Sequence, residues 1–99
     1  MVKREEFIRN LLNMGFELWS IREDCEVYGR VTYRDGWTSV GSVAEDWEEW
    51  YVYKDKAIHI YGTNREVPGW SLCPYCGNWY SISDEEWHED CEPEVVHFD

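Results

Sequence analysis

Between Lys3 and Met14 the apolar residues Phe7, Ile8, Leu11, Leu12 and Met14 recur at the spacing of one helix face, Arg9 stands four residues after Glu5, and Gly15 is placed to end the run in the left-handed region. This pattern predicts an N-terminal amphipathic helix. After Gly15 the period changes, and β-branched and aromatic residues punctuated by turn residues predict strands over Phe16–Arg22, Cys25–Arg34 and Trp37–Val43, with Asp35-Gly36 closing a tight hairpin. A further pair, Trp47–Lys54 and Ala57–Tyr61, is expected to meet across Asp55-Lys56. Alternation places Trp47, Tyr51 and Tyr53 on one face of their strand and Trp50 and Val52 on the other. The expected architecture is α+β: an N-terminal helix packed on an antiparallel sheet of four to five strands, followed by a C-terminal knuckle and short helix. One helix covers only part of a sheet with aromatic residues on both faces. The remaining surface must meet the C-terminal segment, a partner chain or both, which makes Trp47, Trp50, Tyr51 and Tyr53 the candidate interface residues.

Length and charge narrow the picture. Ninety-nine residues suffice for one core, which predicts a single domain over 1–99: helix 1–15, antiparallel meander 16–62, and a knuckle, short helix and tail over 63–99. The formal net charge is −12, and it is unevenly placed. Residues 1–34 hold six bases and six acids, whereas residues 35–99 hold three bases and fifteen acids. A surface of that sign repels phosphate backbones and anionic lipid, so direct nucleic-acid or membrane binding is not expected. No apolar run approaches the ~18 residues of a membrane-spanning helix, and Met1-Val2-Lys3-Arg4-Glu5-Glu6 lacks the apolar stretch of a signal peptide. An intracellular, non-secreted protein is the expectation. Gln is absent, Met is scarce and 30% of residues are charged, a bias met in proteins of hyperthermophiles.

One constellation carries chemistry. In Cys73-Pro74-Tyr75-Cys76-Gly77 two thiols stand two residues apart in a turn that Pro74 bends and Gly77 lets exit. Within Ser83-Asp84-Glu85-Glu86-Trp87-His88-Glu89-Asp90-Cys91, Ser83 and Glu86 form a capping box, and on the helix it would open His88 and Cys91 share one face. Cys73, Cys76, His88 and Cys91 would close a tetrahedral zinc site of three cysteines and one histidine with no open position, a structural rather than a catalytic centre. A disulfide such as Cys76–Cys91 or Cys25–Cys91, or four reduced thiols, is the alternative.

The segment resembles the zinc-finger family whose ligand order is Cys-Cys-His-Cys, here Cys73, Cys76, His88 and Cys91, in a hairpin knuckle followed by a helix. It departs from the usual finger pattern in leaving two residues between the last two ligands and in placing Glu85 three before the histidine. Arg65 stands alone among Glu66, Asp84, Glu85, Glu86, Glu89 and Asp90, a composition opposite to that of a finger reading a DNA groove. Gly77-Asn78-Trp79-Tyr80 has the pattern of a returning strand, unlike a redox-active Cys-x-x-Cys that opens a helix. In size and composition the chain is also similar to small orphan proteins of viruses infecting hyperthermophilic archaea, which would imply host cytoplasm and a dimer.

The other polar residues point to packing. Cys25 alternates with Val27, Gly29 and Val31 as a core thiol, His59 lies between Ile58 and Ile60 as a sheet-packing histidine, and Val95-Val96-His97-Phe98 is placed to add an edge strand. No nucleophile elbow, phosphate-cradling loop or His-x-Glu partner for the knuckle is present. Glu48 and Glu49, being adjacent, face opposite sides of a strand and cannot act as an acid/base pair. The run Glu45–Trp50 reads as a solvated strand edge, or as a surface for a basic protein or, second, for a sugar. The functional expectation is a non-enzymatic acidic interaction module braced by structural zinc, either homodimeric or bound to a basic protein. A disulfide-braced nucleic-acid mimic and a small hydrolase without a recognisable motif are the alternatives.

Overall fold

The computed structural model describes residues 2–36, 43–83 and 91–99. Helix α1 spans Arg4–Asn13, followed by strands β1 (Glu17–Ile21), β2 (Glu26–Asp35), β3 (Ala44–Val52), β4 (Lys56–Thr63), β5 (Trp70–Leu72), β6 (Trp79–Ser81) and β7 (Val95–His97). The helix ends where the sequence places its stop. Gly15 N–H donates to Leu12 O and Phe16 N–H to Leu11 O, with Gly15 at φ 95°, and the Leu11 and Phe16 side chains are buried together at this turn.

Five strands form one antiparallel sheet in the order β1-β2-β3-β4-β7, and β5 and β6 form a separate hairpin. Two strand expectations change. Asp35 pairs with Ala44, so β2 runs on to β3 through residues 36–43 rather than turning tightly at Asp35-Gly36. The strand expected over Trp37–Val43 lies outside the described residues except for Val43, and the fifth strand of the sheet is the C-terminal Val95–His97. The short helix expected after Ser83 also falls outside them, across residues 84–90. A third correction concerns Glu45–Trp50, which is no solvated edge: β3 is the central strand, paired on both sides.

Register assigns the faces. Tyr28, Trp50 and His59 stand abreast on one face beside the row Arg30, Glu48 and Tyr61, while Val27, Tyr51 and Ile58, then Gly29, Glu49 and Ile60, then Val31, Trp47 and Gly62 stand abreast on the other. Helix α1 covers one end of the first face. Phe7 meets Trp50 edge-on at 5.0 Å and lies 5.4 Å from Phe98, above a floor of the fully buried Val52 and Ala57. Burying each of these large side chains stabilises the fold by roughly 2 kcal/mol, and that is what holds a ten-residue helix too short to persist alone. Leu12 and Met14, although in phase with the helix pattern, stay exposed.

No helix of the described residues lies on the second face. Trp19 and Trp47 lie against Gly29 and Gly62, where any Cβ would run into the indole, so each ring covers backbone that a larger residue would push it from. No helix of the described residues is long and apolar enough to cross a membrane.

Candidate metal centre

The other end of the helix-side face is covered by the knuckle. Its turn is built by short-range hydrogen bonds: Cys73 N–H donates to Asn78 O at 2.9 Å and Gly77 N–H to Cys73 O at 3.0 Å, with Gly77 at φ 77°. Gly77 is required twice, by its left-handed backbone and because a Cβ there would sit 2.9 Å from the Tyr61 ring. Tyr61 N–H donates to Pro74 O at 2.7 Å, so the turn is fastened to β4 by backbone as well as by packing.

The sulfur atoms of Cys73, Cys76 and Cys91 lie within 4.8 Å of one another, with Cys73 buried and the other two half-buried. Tetrahedral zinc with Zn–S near 2.3 Å sets its thiolates about 3.8 Å apart, so the three donors need only a small inward shift to grip an ion. Burial works to raise the Cys73 thiol, but the backbone N–H groups of Cys76 and Tyr75, with the neighbouring thiols, outweigh it and bring Cys73 down to about 7. Hydrogen bonding to Cys73, then burial and the nearby sulfurs, push Cys91 up to about 11. Sulfurs gathered this closely resist carrying several negative charges without a cation among them, and soft donors of this kind suit zinc. Three of the four expected ligands are therefore brought together in a cluster that could hold a metal ion. The fourth, His88, lies outside the described residues. No disulfide joins the cysteines in this structure, and the buried Cys25 is not part of the cluster, which speaks against the Cys25–Cys91 pairing.

Two polar networks that sequence reasoning missed flank the knuckle. Glu48 is buried, facing Arg30, which contacts its Oε1, and His59, whose Nε2–H donates to Oε2 at 2.9 Å. His59 stacks on Trp50 at 4.5 Å and meets Tyr61 edge-on at 4.5 Å, and its backbone N–H donates to Glu94 O at 2.9 Å. Cross-strand pairing of Arg30 with Glu48 was the available signal, once Glu48 is counted on the Trp50 face. Nearby, Arg65 is stacked between Tyr33 (4.4 Å) and Trp79 (5.0 Å) and grips both oxygens of Asp46. Burial works to raise the Asp46 carboxyl, but hydrogen bonds from Arg65, Thr63 and Trp79 and the Arg65 charge hold it below the usual range. No buried polar side chain among the described residues is left without a partner.

The proposed interface residues divide. Trp47, Tyr51 and Tyr53 are half-buried, Trp47 and Tyr51 on the face opposite α1, whereas Trp50 is buried between Phe7 and His59 and has little surface to offer.

Comparison of the chain with known protein families, curated proteins and solved structures finds no match. No relative therefore supports the expected likeness to viral orphan proteins.

Proposed function

We propose that this protein is a non-enzymatic interaction module in which structural zinc, held by Cys73, Cys76, Cys91 and His88, fastens the C-terminal segment to the sheet. The observation that carries the reading is the convergence of three thiols within 4.8 Å, two of them on a turn docked against Tyr61. Bound zinc would supply charge neutralisation and a cross-link. The chain's own residues do the rest: Cys73 and Cys76 hold the turn, Cys91 ties in the strand that leads to β7, and Glu94 O accepts the His59 N–H. A closed four-ligand shell leaves no position for a reacting water. With fifteen acids against three bases after residue 34, the module suits a basic protein partner, met by Trp47, Tyr51 and Tyr53 with Glu45 and Glu49 beside them.

Metal analysis of the purified chain tests this reading. About one zinc per chain is expected, released together with new thiol reactivity when a chelator is added. Absence of zinc, with two fewer titratable thiols than cysteines, would overturn it in favour of a Cys76–Cys91 disulfide. Gel shifts with duplex DNA at low salt should show no binding, and salt-sensitive binding there would contradict the basic-protein reading.

A further inference from the structure

We propose that the open edge of β1 is a self-association site that takes a second copy of this chain, in antiparallel, two-fold pairing of β1 with β1 of the partner. This deepens the interaction-module reading but does not depend on the metal.

The sheet has two ends, and they are managed differently. At one, β7 is three residues long, is flanked by Glu94 and Asp99, and leads into Phe98, which is bridged by Val2. At the other, β1 is paired among the described residues on one side only, with Glu26–Gly29 of β2. Natural edge strands are usually blunted by lysine, proline, an inward charge or a bulge; β1 has the bulge at Trp19 but no lysine, proline or inward charge. Residues 12–21 contain a single ionised side chain, Glu17, in a chain that is 30% charged. The same ten residues supply five of the thirteen exposed large hydrophobics among the described residues: Leu12 (52%), Met14 (55%), Leu18 (47%), Trp19 (42%) and Ile21 (73%). An unpaired backbone edge and a concentration of exposed apolar side chains thus coincide.

Charge selects the occupant. Copies of a chain at −12 repel one another wherever acids dominate, but residues 1–34, which include β1 and nearly all of β2, hold equal numbers of acids and bases. The β1 edge is where two copies can meet with the acidic segments kept apart. The strand is also self-complementary at its ends, because Glu17 opens it and Arg22 follows it, and antiparallel pairing sets Glu17 of one copy alongside Arg22 of the other. A bulge at Trp19 interrupts the ladder between Leu18 and Ser20, which limits backbone pairing to a few residues and leaves the apolar side chains to carry most of the affinity.

Sedimentation equilibrium at micromolar concentrations and moderate salt tests the proposal, with zinc content measured on the same samples. The wild-type chain should dimerise. Ile21→Lys, at a position with little packing to lose, should weaken the dimer by about tenfold or more, since a two-fold interface takes each buried charge twice, whereas Trp47→Ala should change it by less than about twofold. Hydrogen exchange on the wild-type chain supplies a check free of misfolded variants: β1 amides should gain protection as concentration rises. A chain that stays monomeric, a dimer indifferent to Ile21→Lys, or a dimer lost with Trp47→Ala would each overturn the β1 assignment. Because zinc is counted separately, a monomer with one zinc contradicts this inference alone, and a zinc-free dimer contradicts the metal reading alone.

Discussion

The two ends of the helix-side face are covered by opposite means. Under α1 the cover is apolar: Phe7, Leu11, Phe16, Trp50, Val52, Ala57 and Phe98 pack together with no ion required. Under the knuckle, cover comes from three cysteines, a tyrosine ring, the Arg65–Asp46 clamp and the buried Glu48–His59 pair that the half-exposed Arg30 closes. Among the described residues α1 is the one α-helix, and the sequence after Thr63 offers few apolar residues at regular spacing. What it offers instead are groups that bind each other or an ion. The first end is stable because water leaves it; the second is stable only while its charges and thiols are matched.

The largest expected effect comes from removing that match. Structural zinc binds with free energy of order 10 kcal/mol that is also folding free energy, so Cys73→Ser or chelation should release β5, β6 and the Cys91 segment. Hydrogen exchange should show those amides unprotected while β2 and β3 remain protected. Equal loss of protection in α1 would mean that the two ends fold as one unit and would break the comparison. Next in size, Trp50→Ala should cost about 4 kcal/mol of global stability through the cavity it leaves, read by denaturant unfolding, with zinc still bound. Smaller again, Glu48→Ala should cost about 3 kcal/mol because it leaves the buried His59 without its hydrogen-bond partner and takes the carboxylate from Arg30, while Glu48→Gln, which keeps a hydrogen-bond acceptor, should cost less. The smallest effect is expected at Asp46. Its carboxyl is held low in the folded state, so its contribution is present above the unfolded carboxylate value and is lost as pH falls through the lower folded one. Asp46→Asn should therefore be less stable than wild type by about 2 kcal/mol at neutral pH and should converge with it in acid, as thermal melts across that range would record.

The apolar end was the more legible in sequence. Helix spacing and Gly15 define α1, and alternation separates Trp50 from Trp47, because hydrophobic periodicity reports directly on which face loses water. Tertiary pairing was less visible. Asp35-Gly36 carries a hairpin signal, yet β2 continues through Asp35 to pair with Ala44, since a strand with a long partner on β3 need not turn at the first Gly. The tail pattern Val95–Phe98 signals an edge strand, and Val95–His97 does form one, but its pairing with Lys56–Ile58 about forty residues away is not encoded locally. At the candidate site, the Cys-x-x-Cys turn and Cys91 stood out because cysteine is rare and its spacing meaningful. Glu48 did not, since a carboxylate in an acidic run looks solvated until Arg30 and His59 are seen on either side of it.

The central claim is that a metal ion, rather than packing alone, holds the knuckle end of the sheet. X-ray absorption at the zinc edge on the purified chain tests it most directly. The account predicts about three sulfur neighbours near 2.3 Å and one nitrogen near 2.0 Å, from Cys73, Cys76, Cys91 and His88. A zinc-free protein whose knuckle amides are as protected from exchange as those beneath α1 would contradict it.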